Sequence, residues 1–265
     1  MKNLKNILIT GSGTGIGKQT AITLAKNGHH VIATTHNQAD ADTLNIYAKE
    51  NDLSLKSFIL DVTKSGDREK VLKYDIDVLI NNAGMGETGS LAEIDIQKIK
   101  NNFEVNLFAP IELTQLVLKQ MIKQDSGRVI FISSLLGRII KPFFGPYSMT
   151  KYALSSGAES LRVELSQITK NVHISVVEPG SYHTGFNQKM IGKMFQWMDE
   201  KSYFYHIKDK IKSREEREFK YSESRDITSI VEKIVQALED ANPKFRYSAP
   251  TWQYLGVQLL RIFGR

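Results

Sequence analysis

Short apolar, β-branched runs recur along the chain, and the longer stretches between them carry apolar residues at helical spacing. The runs at 6–10, 30–34, 55–60, 78–80, 128–133, 173–178 and 245–247 predict strands. The stretches at 17–27, 39–51, 96–123 and 146–169 predict helices. Strands alternating with helices argue for a parallel sheet covered on both faces. No internal repeat or low-complexity linker breaks the pattern, so residues 1–265 are expected to form a single α/β domain.

The pattern changes after Pro179 and Gly180. Residues 186–205 are rich in Met and aromatics, among them Met190, Met194, Phe195, Trp197, Met198 and Phe204, and 208–220 is densely charged. Asp226 is placed to N-cap a helix that buries Ile227, Ile230, Val231, Ile234, Val235 and Leu238. The tail from 252 to 263 is mostly apolar and ends beside Arg261 and Arg265.

Composition removes several chemistries. The chain has no cysteine, which excludes disulfides, thiolate catalysis and Cys-ligated metal centres, and no metal site is expected. No apolar run approaches the roughly 18 residues of a membrane span. The apolar stretch at 7–10 is also short of the about 7–15 residues of a signal-peptide core, so a cytoplasmic location is expected. The formal net charge is +6, with most of the basic excess after residue 180. That excess would favour an anionic cofactor, an anionic substrate carrier or a lipid surface, and a solvated face is the plainer alternative. Basic residues are not interleaved with aromatics, so nucleic acid is not an expected partner.

Thr10-Gly11-Ser12-Gly13-Thr14-Gly15-Ile16-Gly17 follows the first predicted strand and opens a helix, the context in which a glycine pattern points to a dinucleotide. Gly11 would permit the tight turn, Gly15 the approach of a pyrophosphate and Gly17 the close packing of helix on sheet. At the end of the second strand an acid would bind the ribose 2′-hydroxyl of NAD. Thr35 stands there instead, followed by His36, and this favours NADP(H) over NAD(H).

Tyr147 and Lys151 are four residues apart, on one face of a predicted helix, and Ser134 lies thirteen positions before the tyrosine. An ordinary phenol titrates near 10 and is a poor base at neutral pH, and a neighbouring ammonium would lower that value. Ser133 competes with Ser134 for the serine role on residue type alone.

Together with Asp61-Val62, Asn81-Asn82-Ala83-Gly84, Asn106 and Pro179-Gly180, these features resemble the short-chain dehydrogenase/reductases of about 250 residues, nearly continuously from 4 to 184. The resemblance, closest to hydroxysteroid- and retinol-dehydrogenase-like members, implies a Rossmann fold with seven parallel strands and helices on both faces. It implies that Asp61 and Val62 hold the adenine. Asn82, Ala83 and Gly84 would pass the adenosine ribose, and Thr184 would touch the nicotinamide carboxamide. Ser12, Thr14 and Ile16 would complete the loop around the phosphates. Tyr147 would exchange the proton, Ser134 would bind the reacting oxygen, and Lys151 would hold the nicotinamide ribose. Asn106 would interrupt its helix and hold a water linked to Lys151.

In the family, the pocket is built by the segments after residues 84, 134 and 180 and just before 147. Here these offer Met85, Leu135, Leu136, Phe143, Phe144, Tyr182, Phe186 and Met190, which implies a hydrophobic ketone or secondary alcohol. The resemblance further implies a lid-like segment at 185–225, a C-terminal extension at 249–265, and a homodimer or homotetramer joined through 96–123 and 146–169. The tail at 252–263 would pack on protein or lie on a membrane surface. The competing readings are a 3-oxoacyl-carrier-protein reductase-like enzyme and a nucleotide-sensing regulator without turnover.

Overall fold

The computed structural model describes residues 4–264. Among them, seven strands form one parallel sheet in the order β3-β2-β1-β4-β5-β6-β7. They are β1 (Asn6–Ile9), β2 (His30–Thr35), β3 (Leu55–Ile59), β4 (Val78–Asn81), β5 (Gly127–Ile132), β6 (Val172–Pro179) and β7 (Arg246–Ala249). Every predicted run became a strand, with ends moved by one or two residues. The period of two sets the layers. Ile7 and Ile9 face one core with Ile230 and Ile234, while Leu8 faces the other with Leu113 and Leu154.

The helices are α1 (Gly15–Lys26), α2 (Gln38–Glu50), α3 (Ser65–Glu69), α4 (Ile96–Phe103), α5 (Ala109–Lys123), α6 (Gly145–Leu165), α7 (Phe186–Met194), α8 (Lys208–Ser222), α9 (Thr228–Glu239) and α10 (Thr251–Phe263). The stretch expected as one helix over 96–123 is divided by a wider π-type turn at Glu104–Phe108, with Asn106 inside it. Such turns are costly and gather at functional positions. Asp226 stands one residue outside the N-cap of α9 and accepts from both the amide and the hydroxyl of Thr228. It therefore restrains the helix entry from one position further out than expected. Ile227 and Val235 are only partly buried.

Strand order reverses between β1 and β4, and in open α/β sheets a ligand crevice forms outside the carboxyl ends at such a point. The Met- and aromatic-rich segment crosses above it. Met190, Met194 and Met198 from that segment, with Ile211 of α8, pack with Phe144 and Tyr147 as a third apolar cluster.

Candidate active site

The first wall of the crevice is backbone. Gly11 and Gly15 adopt φ of +68° and +56°, the left-handed region where glycine is least strained. A methyl group on Gly11 would lie 2.7 Å from the Cα of Ala83, and one on Gly17 would lie 2.4 Å from the carbonyl oxygen of Gly11. The amide nitrogen of Asn82 donates to Thr10 O and Gly11 O at 2.8 and 2.9 Å, and Thr10 Oγ1 accepts from the backbone N–H of Asn82 and Ala83. The loop after β1 and the loop after β4 thus brace each other.

A cleft of about 1260 Å³ begins there and is lined by Gly11, Thr14, Gly15, Ile16 and Gly17. Thr35, His36, Asp61, Val62, Asn82, Ala83 and Gly84 continue the lining, with Pro179, Gly180 and Thr184 across from the glycine loop. This set has the size, the glycine cradle and the polar edge that a dinucleotide requires. Ser12 departs from expectation: it is fully buried and its hydroxyl donates to Ile9 O, facing the core. Thr35 Oγ1 donates to Asn37 O. Burial opposes ionisation of Asp61, but the hydroxyl and amide of Thr63, with Lys64 and His36 nearby, hold its carboxyl below the usual value. Asp40 was not foreseen. Its carboxylate comes within 2.4 Å of where a Cβ on Gly13 would lie.

Deeper in the cleft, Ser134 and Tyr147 both line the wall, near enough for the serine hydroxyl to favour the phenolate. Ser134 Oγ accepts from the amide of Leu136 at 3.1 Å, which fixes its rotamer. Ser133 is separated from it in role: its hydroxyl meets Ser155 Oγ at 2.7 Å and Lys151 O at 3.2 Å, inside the core. The expected depression of the Tyr147 pKa is not what this geometry gives. Burial pushes the phenol up to about 12, and the nearby Ser134 hydroxyl offsets this only in part. Lys151 Nζ lies 5.7 Å from the Tyr147 ring centroid but donates to Ile132 O at 2.9 Å, and burial lowers its own pKa to about 8. The two side chains share one face, as their spacing predicts. Desolvation is the largest cause of both shifts.

Asn106 is buried. Its Oδ1 accepts from Met85 N, and its Nδ2 donates to Met85 O at 2.8 Å and to Thr150 Oγ1 at 3.0 Å. It pins the loop after Gly84 beside Lys151. A Cβ on Gly84 would lie 3.2 Å from Asn106 Oδ1 and 3.7 Å from Lys151 Nζ.

The remaining lining is apolar. Met85, Leu136, Phe144, Phe186 and Met190 line the cleft, and the Phe186 ring is 5.8 Å from that of Tyr147. Tyr182 reaches the cleft edge, but its hydroxyl is bonded to Ser229 and its ring belongs to the core under α9. Phe143 is a correction. It does not line the cleft; its φ of +67° turns its ring onto Trp197 and Phe204, at centroid distances of 6.1 and 5.1 Å. Sequence reasoning missed the outer wall: Lys141, Arg214, Glu215 and Phe219, then Gln253, Val257 and Leu260 of α10. Lys141 Nζ pairs with the fully buried Glu215 at 2.8 Å and stands over the rings of Phe144 and Phe219. No local motif marks these residues; the density of charge at 208–220 was the one available signal.

The family model for short chain dehydrogenase matches residues 5–194. Among curated proteins, the uncharacterized oxidoreductase YbbO of Escherichia coli is 32% identical over 191 residues, covering 70% of this chain and 69% of its own. Human retinol dehydrogenase 8 is 34% identical over 197 residues, covering 72% of this chain and 63% of its own. Among solved structures, a short-chain dehydrogenase from Streptomyces avermitilis superposes with a TM-score of 0.79 at 25% identity, covering 98% of this chain and 94% of that one. A short chain dehydrogenase/reductase from Burkholderia phymatum in complex with NAD gives 0.82 at 19% identity, with 98% and 93% covered. One from Sphingobium yanoikuyae in complex with NADPH gives 0.73 at 20%, with 99% and 96% covered.

Proposed function

The chain belongs to the short-chain dehydrogenase family, and we propose that it interconverts a hydrophobic ketone and its secondary alcohol with a nicotinamide dinucleotide, Tyr147 exchanging the proton. One observation carries this reading. Ser134, Tyr147 and Lys151 line one cleft that has a glycine cradle on one side and apolar walls on the other.

When bound along Gly11 to Gly17, Asp61 to Val62 and Asn82 to Gly84, the dinucleotide supplies or accepts the hydride. The chain's own residues do the rest. Ser134 gives a hydrogen bond to the carbonyl oxygen and stabilises the charge that develops on it. Tyr147 delivers its proton to the same oxygen. A phenol held near 12 is a weak acid, but an alkoxide is a stronger base than a phenolate, so donation stays downhill. Removing a proton from an alcohol needs the phenolate, which is scarce at neutral pH. Lys151 brings positive charge within 5.7 Å of the ring centroid and would hold a ribose hydroxyl. Asn106 fixes the loop at Met85 that forms the near wall.

Thr35 and His36 at the ribose end, with no acid at the strand terminus, support NADP(H). Asp40 favours a second reading, NAD(H), because its carboxylate at Gly13 would repel a 2′-phosphate. Titration with NADPH and NADH, repeated on Asp40→Asn, separates the two. Tighter NADPH binding in the variant shows that Asp40 selects against phosphate.

The apolar walls support a lipid-like, retinoid-like or steroid-like substrate, as does the kinship with a protein named for retinol. A panel of hydrophobic ketones and alcohols, followed at the reduced-nicotinamide absorbance band, tests the function. The proposal fails if none turns over, or if Tyr147→Phe turns over as fast as the parent.

The segment 185–225 acts as a lid over this cleft in the same reading. The groove between α5 and α6, lined by Ile111, Leu118 and Leu161, supports a homodimer or homotetramer, which sedimentation checks. Among the described residues no helix is long and apolar enough to cross a membrane. The exposed Trp252, Leu255, Leu259 and Ile262 of α10 support peripheral contact with lipid, which flotation with anionic liposomes checks.

A further inference from the structure

We propose that Gln253, on α10, is a positioning residue whose carboxamide ties the loop beside the nicotinamide subsite to both ends of the lid. The assignment rests on the reading of the cleft given above, and it concerns a residue beyond the part of the chain that matches the family model.

The lid leaves the sheet just after Gly180 and returns at the end of α8. Its two ends are joined at the base. Ser224 N donates to Ser181 O at 3.0 Å, His183 N donates to Ser224 O at 3.0 Å, and Tyr182 and Ser224 form a parallel bridge. Gln253 closes this knot from outside. Its Oε1 accepts from Ser181 N at 2.7 Å. Its Nε2 donates to Ser222 O at 2.8 Å and reaches Ser181 O at 3.4 Å. One side chain thus holds the first residue of the lid's neck and the last residue of α8.

Gly180 shows how tightly the carboxamide is seated. A Cβ there would lie 2.1 Å from Gln253 Oε1. The glycine's φ is not in the left-handed region, so the neighbouring carboxamide explains its lack of a side chain better than a turn does. A glycine and a glutamine more than seventy positions apart in sequence are fitted to one another.

The chemistry requires an amide. An oxygen must accept the Ser181 N–H while a nitrogen on the same group donates to a carbonyl at the lid's other end. Glutamate keeps the first function and loses the second. Methionine fills the space and loses both. Gln253 also lines the cleft beside Val257 and Leu260, so a displaced carboxamide would shift the loop carrying Thr184 and loosen the wall. Shifts of this kind weaken binding and positioning without touching the proton-transfer groups.

The test compares Gln253→Met with Gln253→Glu in the full chain. Three quantities are read: the Kd of NADH and NADPH by fluorescence, the rate of tryptic cleavage within α8, and the thermal midpoint. With Gln253→Met, nucleotide Kd should rise about tenfold and cleavage should accelerate about tenfold, the scale of one or two lost hydrogen bonds. KM for a ketone should rise with kcat held within about threefold. With Gln253→Glu, cleavage should accelerate similarly while nucleotide Kd stays within about threefold, because the Ser181 N–H keeps its acceptor. Unchanged cleavage and binding in Gln253→Met overturn the proposal, as does a response in which both variants change every quantity in proportion to lost thermal stability. Should Gln253→Met not fold, the split between binding and cleavage in Gln253→Glu decides. Binding and cleavage need no substrate, so failure to find a ketone that turns over leaves this test intact.

Discussion

A methyl group on Gly17 would lie 2.4 Å from the backbone oxygen of Gly11, and one on Gly86, across the cleft, would meet the sulfur of Met190 at 2.6 Å. The distances are alike and the consequences differ. An oxygen of the main chain beneath a packed helix has nowhere to go. A thioether at the end of three rotatable bonds does. The nucleotide side of the cleft is built from backbone meeting backbone, with the Asn82 carboxamide clamping the loop. The side proposed for the substrate is built from the far ends of side chains: Met190, Phe186, Phe144 against Phe219, and Lys141 over both of those rings. The first construction fixes one shape for one ligand. The second can change shape by turning side chains.

The largest effect is expected where the two sides meet. Tyr147→Phe should lower kcat for ketone reduction by about 10³-fold and leave nucleotide Kd nearly unchanged, as stopped-flow rates and fluorescence titration would show. A loss in binding as large as the loss in rate would mean that the ring is part of the cradle. Next comes the pair of glycines. Gly17→Ala should weaken nucleotide binding by about 100-fold, and Gly86→Ala by less than about threefold, because only the second clash can relax. Equal losses would erase the distinction drawn here.

Smaller effects probe the substrate side alone. Phe186→Ala should raise KM about tenfold for a bulky ketone and much less for a small one. Phe143→Ala should leave both KM values alone and lower the stability of the lid by about 1–3 kcal/mol, since its ring packs on Trp197 and Phe204. The smallest effect is in pH. Burial lowers Lys151 to about 8, so its charge is present below that pH and lost above it. Initial rates of ketone reduction should therefore decline as pH rises through about 8. Lys151→Arg, which keeps its charge, should abolish the decline in whatever activity it retains.

The nucleotide side was legible because its physics is local. Gly11, Gly15 and Gly17 are demanded by a turn and a close approach that occur within eight residues of chain. The Tyr147 and Lys151 spacing places two groups on one helical face whatever surrounds it. Their electrostatics were not legible. The opposing effect, loss of solvent around the ring, depends on Phe186 and Met190 closing over it from a distant segment. Phe143 misled for a similar reason. Its place just before Tyr147 points to the pocket, but a left-handed backbone turns it to Trp197 and Phe204. Gln253, Lys141 and Glu215 carry no motif, and only their partners give them a role.

What the chain alone determined is the alternation of strands and helices, the cradle after the first strand, and the placing of Tyr147 and Lys151 on one helical face. Each follows from steric and periodic rules acting over a few residues. What the folded molecule decided is which hydroxyl faces the cleft, how strongly burial holds the phenol's proton, and how α8 and α10 wall the apolar half. Those outcomes depend on solvent exclusion and on contacts between residues far apart in the chain, and both exist only once the segments have come together.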